Sequence, residues 1–528
     1  MGNNDSHTDV LIIGSGPIGA TYARFLVEAG MDVTMIDAGT HLSHRPGSHL
    51  QNAFKYQQQP NLFNDLITAH GEPYSIAPTN GGLTAVPPGT FPPPMQRQNF
   101  ENPQQNPQLN MPFAAATYAV GGMFTHWTGC APTPVPMERT PLIPAEDWEV
   151  MLPIANKLFN IHTDAFTPSF LNEAIKGILH KNKIGVENLP MGAEKRGVDT
   201  EIAHFVTWTG VDTILGPLVN QPGKYQKQFR ILAEHRAEEL VRSQDHHLEY
   251  AVVRDLATYT TRKIYADLFV VAAGSFLTPR LLWQSKIRYK ALGRFLNENT
   301  VATTRVALKP AVITALRAQQ SNPARREPIP IALNDPEPMC GFSPTPQRPW
   351  HAQIHRAGRY STYDSVHYDV RLVVDLVWFG MVDPRPDNRI TFSKQVLDRF
   401  GMPQVTVDYS LSTADASNAN EMMENMIEAA NLIGTQHPDL RAPVFGPPGA
   451  SLHLQGTYRM GDDAKQDEET SVVSTYSQAW GIDNLYLGGL GVIPNKMADN
   501  PTLTASAMAV RSVSGILERP LSDLANQI

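Results

Sequence analysis

The feature that most constrains this chain is a glycine-rich turn between two short apolar segments near its start. Residues 9–13 form an apolar run, residues 14–19 read Gly-Ser-Gly-Pro-Ile-Gly, and residues 20–29 have the apolar spacing of a helix. A second apolar run over residues 32–37 ends in Asp37. This order predicts a strand, a helix and a second parallel strand, which together open an α/β dinucleotide-binding domain.

Each glycine of this turn makes a different structural contribution to binding a pyrophosphate. Gly14 permits the tight turn, Gly16 lets the backbone approach the phosphates, and Gly19 lets the helix and strand pack closely. The helix start attracts phosphates, and an acid such as Asp37 accepts a ribose hydroxyl and disfavours NADP. The motif predicts a dinucleotide, FAD or NAD, held by Gly14, Ser15, Gly16, Pro17, Ile18, Gly19 and Asp37.

Composition excludes several classes of protein. The chain has 528 residues, of which 42% are hydrophobic and 18% charged, so it contains enough apolar material for large cores. The net charge of −8 gives no general attraction to nucleic acid. No apolar run suits a membrane span or a signal peptide, and two cysteines, Cys130 and Cys340, provide no disulfide framework. We expect a cytoplasmic protein of roughly two to four domains.

Several other segments carry a structural signal. The proline-rich residues 73–113 predict a long irregular excursion, which is either a solvated loop or a lid over a binding site. Residues 250–253, 266–273 and 370–375 are expected to be strands. Met422, Met423 and Met426 at helical spacing predict a helix over residues 414–433, with these methionines in the core.

Three further stretches resemble the glucose–methanol–choline (GMC) oxidoreductases, which are FAD enzymes. Residues 274–285, GSFLTPRLLWQS, resemble the second signature of that family. Residues 121–128, GGMFTHWT, resemble the segment of its pyranose 2-oxidase branch in which the histidine is bonded to the flavin ring. Residues 452–461 and 500–504, with a Gly-Gly pair at 488–489 between them, resemble the stretches that carry the family's catalytic histidine and asparagine.

The resemblance implies FAD rather than NAD, bound either covalently through His126 or by non-covalent contacts. It maps the catalytic pair to His453 and Asn500, which also contact the substrate, and Gln353 to a sugar-binding amide. An imidazole with a pKa near ~6.5 can take the proton of a hydroxyl group, and an asparagine can orient the same oxygen. Further implied cofactor contacts are Gly122, Met123, His126, Thr128, Ala273, Gly274, Gly489, Pro501 and Thr502.

The spacing of His351, Gln353 and His355 raises the alternative of a metal site. They share one face of an expected strand. No carboxylate or cysteine in the sequence around them completes a ligand set, so no metal is predicted.

The implied fold is α/β (α+β overall), a GMC fold with three regions. A Rossmann-like FAD-binding domain is expected from residues 1–50, 222–300 and 448–528. Residues 51–129 would form a proline-rich lid and the flavin-attachment segment. Residues 130–221 and 301–447 would form a substrate-binding domain with a mixed β-sheet and helices.

The implied activity is FAD-dependent oxidation of a secondary hydroxyl on a glucopyranosyl ring, with oxygen or a quinone-like acceptor reoxidising the cofactor. After residue 356 the chain reads AGRYSTY and lacks the substrate loop of the fungal pyranose 2-oxidases. This departure favours a glycoside oxidised at C3, as in the bacterial C-glycoside 3-oxidases, over free glucose oxidised at C2. A non-redox lyase and a non-catalytic flavin-binding protein are further alternatives, and the His453–Asn500 pair argues against both. The oligomeric state is left open, with no nucleic acid or membrane partner expected.

Overall fold

A computed structural model of the chain describes residues 5–78, 101–195, 206–243, 246–318, 331, 339–356, 369–398, 401–437 and 440–528. Two large sheets with helices packed against them dominate the described structure, and three small sheets lie beside them. The prediction of a mixed α/β fold is confirmed.

The first sheet contains the predicted strand–helix–strand unit. Strand Ser6–Ile13 runs parallel to Val33–Ile36 on one side and to the long strand Thr261–Val271 on the other. Residues 10–12 are fully buried, as a parallel strand covered on both faces requires. Antiparallel pairing also occurs in this sheet, which makes it mixed. Its remaining strands are His235–Arg242, Leu248–Asp255, Phe229–Leu232 and Leu485–Leu487.

The first helix spans Pro17–Glu28 and so begins three residues before the stretch that apolar spacing indicated. Proline is favourable in the first helical turn, where its missing N–H would have no partner. This helix packs against Thr502–Ile516, and Thr21 Oγ1 lies 3.0 Å from Ser506 Oγ. Helix Thr502–Ile516 also packs against Ala145–Leu158, and the three helices share a continuous apolar core with the first sheet.

Every pairing among the described strands of the second sheet is antiparallel. The helix predicted over residues 414–433 spans Thr413–Ile433 and packs on this sheet. Met422 and Met426 are fully buried in the core, as predicted, whereas Met423 is only partly buried. Ser412 and Asp415 form a capping box that fixes the helix start. The strands of this sheet are Gly434–Thr435, Thr300–Leu308, Val373–Gly380, Trp350–Arg356, Cys340–Phe342, Glu187–Asn188 and Val444–Phe445.

The remaining elements surround these two layers. The small sheets pair Arg389–Leu397 with Pro403–Asp408, Gly71–Pro73 with Ala115–Thr117, and Met191–Lys195 with Ile161–His162 and Val206–Trp208. The other α-helices are Phe54–Gln58, Pro60–His70, Phe170–Lys181, Val211–Leu215, Pro217–Asn220, Pro222–Tyr225, Gly274–Gln284, Pro310–Ala318 and Leu521–Ala525. Short 3-10 turns are Leu50–Asn52, Pro107–Leu109, Gly122–Thr125, Pro136–Glu138, Val370–Leu372 and Leu490–Val492. The 3-10 turn Val370–Leu372 occupies the first three residues of the strand expected at residues 370–375, so that strand begins at Val373.

Two segments singled out in the sequence lie partly or wholly outside the described residues. These are the middle of the proline-rich stretch, residues 79–100, and the loop after Arg356, residues 357–368. The end of the proline-rich stretch is hydrogen-bonded to strand Pro403–Asp408. The side-chain amides of Asn102 and Gln105 donate to carbonyl oxygens of that strand at 2.9 and 2.8 Å. The domain boundaries given above stay a prediction. In the described part of the chain, no helix is long and apolar enough to cross a membrane.

Candidate active site

The glycine-rich turn is braced by Asp37. Ser15 donates from its N–H and its hydroxyl to Asp37 Oδ2 at 2.9 and 2.6 Å, and the Gly39 N–H donates to Asp37 Oδ1 at 2.7 Å. Burial raises the pKa of the Asp37 carboxyl, and the hydrogen bonds from Ser15 and Gly39 oppose that rise. Each carboxylate oxygen has two lone pairs, so Asp37 can still accept a ribose hydroxyl as the sequence predicts.

Two glycines of the turn are required by close backbone contacts, and the third faces open space. A Cβ on Gly14 would lie 2.4 Å from the carbonyl oxygen of Ala272, and one on Gly19 would lie 2.1 Å from that of Gly14. A Cβ on Gly16 would meet no atom within 4 Å. Gly16 is the N-cap of helix Pro17–Glu28 and provides no side-chain cap, so the first N–H groups of the helix are left for a ligand.

The segment with the flavin-attachment motif adjoins this turn. The Gly121 N–H donates to Ser15 Oγ at 2.9 Å, and a Cβ on Gly122 would sit 3.8 Å from Gly16 Cα. Met123 lies in the same 3-10 turn, Gly122–Thr125. The start of the segment that the resemblance implies for flavin attachment, Gly121 and Gly122, is therefore next to the glycine-rich turn.

Two later segments reach the same edge of the first sheet. The Gly488 N–H donates to the carbonyl of Val271 at 2.9 Å, which brings Gly489 beside the end of the strand that precedes Ala273 and Gly274. A Cβ on Gly274 would meet no atom within 4 Å, and its φ of +83° favours glycine. Four separate parts of the chain thus meet at one edge of the first sheet.

Two further features bear on cofactor binding, namely the buried amide of Gln455 and the N-terminus of helix Thr502–Ile516. Gln455 is 1% exposed, and neither its amide oxygen nor its nitrogen has a partner among the described residues. Burying such an amide without hydrogen bonds costs roughly 2–7 kcal/mol, so the Gln455 amide is available to pair with a polar group of a cofactor. Helix Thr502–Ile516 begins after Asn500 with Pro501 as its N-cap, so its positive end lies beside Asn500 of the predicted catalytic pair. These observations fit FAD, with the turn at residues 14–19 as the pyrophosphate site.

His126 is half-buried next to Thr117. Its Nε2 lies 2.9 Å from Thr117 Oγ1, and its N–H donates to the carbonyl of Met123 at 3.0 Å. Burial lowers the pKa of His126 to about 4, so the ring is neutral at pH 7 and one ring nitrogen keeps its lone pair. A neutral imidazole is the nucleophilic form that a bond to a flavin ring requires. Thr128 follows two residues later, and the covalent bond itself stays a prediction.

His453 is held in one tautomer by Asn299. Asn299 Nδ2 donates to the carbonyl oxygens of Met497 at 2.7 Å and Gly380 at 3.3 Å. Its Oδ1 therefore faces His453, where it accepts from Nδ1 at 2.8 Å. The lone pair of the imidazole is left on Nε2, which faces Asn500. His453 Nε2 can consequently accept a proton.

Asn500 and Gln353 form a row of amides beside that nitrogen. Asn500 Nδ2 donates to His453 Nε2 at 3.0 Å, and Asn500 Oδ1 accepts from Gln353 Nε2 at 2.8 Å. Gln353 Nε2 also donates to His351 Nε2 at 3.0 Å, and Gln353 Oε1 lies 3.2 Å from His355 Nε2. The structure therefore brings together the predicted catalytic pair and the predicted sugar-binding amide. His351 and His355, weighed above as metal ligands, orient that amide.

The electrostatics of His453 differ from the expectation. Burial lowers its pKa to about 3, and the neighbouring His351 contributes in the same direction. The ordinary value near ~6.5 assumed from the sequence applies to an exposed ring. The ring of Phe379, with its centroid 5.3 Å away, provides part of the apolar surroundings. His453 is therefore neutral, and able to act as a base, throughout the neutral and mildly acidic range.

Sequence reasoning missed Asn299 and its neighbour Glu298. Glu298 accepts from the Gly449 N–H at 2.6 Å, the Ser451 hydroxyl at 2.8 Å and the Leu452 N–H at 3.2 Å, and so fixes the turn before His453. Burial raises the pKa of Glu298 to about 7. The available signal was the polar run at residues 297–299 directly before an apolar strand, since polar residues at such a position are unusual in a core.

Comparison with known proteins identifies the family. A model of the GMC oxidoreductase family matches residues 384–509, and an FAD binding domain model matches residues 7–54. Pyranose 2-oxidase of Tricholoma matsutake is 33% identical over 97% of this chain and 94% of that protein. C-glycoside 3-oxidase of Microbacterium trichothecenolyticum is 30% identical over 99% of this chain and 98% of that protein. The crystal structure of pyridoxine 4-oxidase from Mesorbium loti superposes with a TM-score of 0.62 at 15% identity, covering 97% of this chain and all of that one, and shows the shared fold.

The chain belongs to the GMC oxidoreductase family. It is an FAD-dependent oxidoreductase of CH–OH groups, and the choice of FAD over NAD is confirmed. The assignment of cofactor binding to the glycine segments and of alcohol oxidation to the His453–Asn500 pair stays a prediction.

Proposed function

We propose that the protein oxidises a secondary ring hydroxyl of a glucopyranosyl substrate to the keto sugar. The observation that carries this proposal is the hydrogen-bonded row from His453 through Asn500 to Gln353. It aligns one base and two amides, the groups that bind and deprotonate a polyhydroxylated ring. Pyranose 2-oxidases and C-glycoside 3-oxidases among the relatives support a sugar substrate.

In the proposed reaction, His453 Nε2 takes the proton of the reacting hydroxyl. Asn500 Nδ2, which donates to that nitrogen in the structure, turns to donate to the substrate oxygen and holds it in place. Gln353, fixed by His351 and His355, keeps the Asn500 amide in the required orientation. FAD, when bound, supplies the acceptor for the hydride of the carbinol carbon. Oxygen or a quinone-like compound then takes up the electrons.

For the substrate we favour a glycoside oxidised at C3. An aglycone at C1 crowds the neighbouring C2 hydroxyl, which leaves C3 as the less hindered position. The chain also lacks the gating loop of the free-glucose enzymes after Arg356. The second candidate is C2 oxidation of free glucose, which is favoured by the 33% identity to a pyranose 2-oxidase.

Product analysis distinguishes the two candidates. Free glucose and a C-glucosyl aromatic compound would be compared under identical conditions, with the keto position assigned by NMR. We expect faster turnover of the glycoside and a 3-keto product. Faster turnover of glucose to the 2-keto sugar would replace the first candidate by the second. A flavin that no sugar bleaches under anaerobic conditions would favour the lyase or the non-catalytic alternative instead.

We further propose that His126 forms a covalent bond to the flavin. Its neutral ring and its place beside the cofactor turn support this reaction. Acid precipitation should leave the yellow colour in the pellet for the parent protein and release it from the His126→Ala variant. Flavin released completely from the parent would show that FAD is held by non-covalent contacts alone.

A further inference from the structure

Two carboxyl groups lie fully buried behind the catalytic pair. Glu138 and Asp499 are each 0% exposed, and no lysine or arginine in the described part of the chain forms an ion pair with either. The basic residues nearest in sequence point elsewhere, since Arg139 pairs with Glu149 and Lys496 with Asp383. Two buried acids without a cation are costly, which suggests a function for them.

Glu138 fixes the backbone that carries Asn500. Its Oε1 accepts from the N–H groups of Ala498 at 2.7 Å and Asp499 at 3.0 Å, and its own backbone carbonyl accepts from Asn495 Nδ2 at 2.7 Å. This single residue of the 3-10 turn Pro136–Glu138 thus holds the segment before Asn500 at several points.

Asp499 connects to the same asparagine by a second route. Its Oδ1 lies 2.9 Å from His351 Nδ1, and its carboxyl group is near enough to that of Glu138 for each to affect the pKa of the other. His351 Nε2 accepts from the Gln353 amide, which also donates to Asn500. Because Nε2 is an acceptor, the hydrogen of the neutral His351 ring is on Nδ1, which faces Asp499. Glu138 and Asp499 therefore act on both the backbone and the side chain of Asn500.

The Glu138–Asp499 pair favours a single negative charge over two, because two neighbouring buried carboxylates repel each other. Burial and the nearby Asp499 raise the pKa of Glu138 to about 8, and burial raises that of Asp499 to about 7. The other titratable groups around the pair are uncharged near neutral pH: burial lowers the pKa of His351 to about 4 and of His453 to about 3, and it raises that of Cys130 well above its usual value. Cys130 Sγ lies 3.9 Å from His351 Nε2. A second charge would therefore meet repulsion without any compensating cation.

We propose that Glu138 and Asp499 are positioning residues for Asn500, and that the proton they share sets the alkaline limit of substrate oxidation. When that proton is lost, the two carboxylates repel each other and the segment at residues 498–500 moves. Asn500 then no longer holds the substrate oxygen in line with His453. This inference rests on the proposed function, because it concerns the same hydroxyl.

The test is the pH profile of flavin reduction by sugar, measured anaerobically on the FAD-loaded protein from pH 6 to 9.5. In the parent, the rate should fall by about tenfold per pH unit above pH ~8, the slope of a single proton. Asp499→Asn should remove this alkaline fall and lower the rate at pH 7 by less than tenfold, since the amide fills the same space without a charge. Glu138→Gln should also remove it, with a lower limiting rate. Asp383→Asn, a change at an exposed ion pair, is the control and should keep the parent profile.

Infrared difference spectra between pH 7 and 9 give a second measurement that does not depend on activity. The parent should lose a protonated-carboxyl band that is missing in Asp499→Asn. An unchanged alkaline fall in that variant, or no such band in the parent, would overturn this proposal alone. Failure of every sugar to reduce the flavin, with the titrating band present, would overturn the proposed function and leave the shared proton in place.

Discussion

The side chains around His453 have separable tasks. In the row from Asn299 to Gln353, His453 Nε2 carries the lone pair of a basic nitrogen, whereas the amides donate and orient. His453→Ala should therefore keep FAD but lose roughly 10²–10⁴-fold in the rate of flavin reduction. Stopped-flow absorbance measures this, with the exposed His44→Ala variant as a control. A variant reduced at nearly the parent rate would remove His453 from the mechanism.

Asn299 offers a test of the tautomer. Its Oδ1 accepts the His453 Nδ1 hydrogen, and an aspartate at the same position would accept it with a full negative charge. That charge stabilises the imidazolium, so Asn299→Asp should raise the pKa of His453 from about 3. The acid side of the pH–rate profile should then move to higher pH, while Asn299→Leu should lower the rate without this movement. Identical acid limits in the parent and both variants would contradict the assigned tautomer.

Among the elements, the first strand–helix–strand unit shows how one turn serves both packing and binding. Gly19 allows helix Pro17–Glu28 to rest on the turn, whereas Gly16 faces open space. Gly19→Ala should destabilise the protein as well as weaken FAD binding, because its Cβ would collide with the backbone. Gly16→Ala should leave the fold of the apoprotein intact and weaken FAD binding at least tenfold, about 1.4 kcal/mol.

The comparison of these two glycine variants needs separate measurements of fold and binding. Far-UV circular dichroism and thermal unfolding of the apoproteins report the fold, and flavin fluorescence titration reports the binding. Equal loss of stability in both variants would mean that Gly16 is also enclosed by protein. Equal retention of FAD would mean that the open space beside Gly16 is not the pyrophosphate site.

Elements with strong local periodicity were predictable, and contacts between distant segments were not. The strand Ser6–Ile13 and the helix Thr413–Ile433 follow from runs and spacings within a few residues. The pairing of His453 with Asn500 came from resemblance. The contact of Glu138 with the Asp499 N–H joins positions 361 apart, and no local pattern marks Glu138. His351 was visible as a candidate, but its role depends on Asp499, which only the fold brings near.

For the whole molecule, two sets of buried groups make opposite contributions to the pH dependence of the free energy of unfolding. Three carboxyls, Glu138, Asp499 and Glu298, have pKa values raised to about 8, 7 and 7. Three histidines, His126, His351 and His453, have pKa values lowered to about 4, 4 and 3. The unfolded chain has ordinary values near ~4 for the acids and ~6.5 for histidine. Between pH ~4 and ~6.5 the folded state holds more protons on these acids, and fewer on these histidines, than the unfolded state does. As pH rises through this range, the acids therefore lower the free energy of unfolding and the histidines raise it.

Above pH 7 the histidines no longer offset the acids in the pH dependence of stability, which gives a prediction for the holoenzyme. The histidines are then neutral in both states, but the folded state still holds carboxyl protons that the unfolded state has lost, so the free energy of unfolding must fall as pH rises. Between pH 7 and 8.5 we expect a loss of roughly 1–2 kcal/mol. Urea denaturation midpoints over this range measure it, and Glu138→Gln should reduce the slope because it removes the largest of the three contributions. A midpoint that is constant or rises over this range would show that the three acids are already ionised in the folded protein.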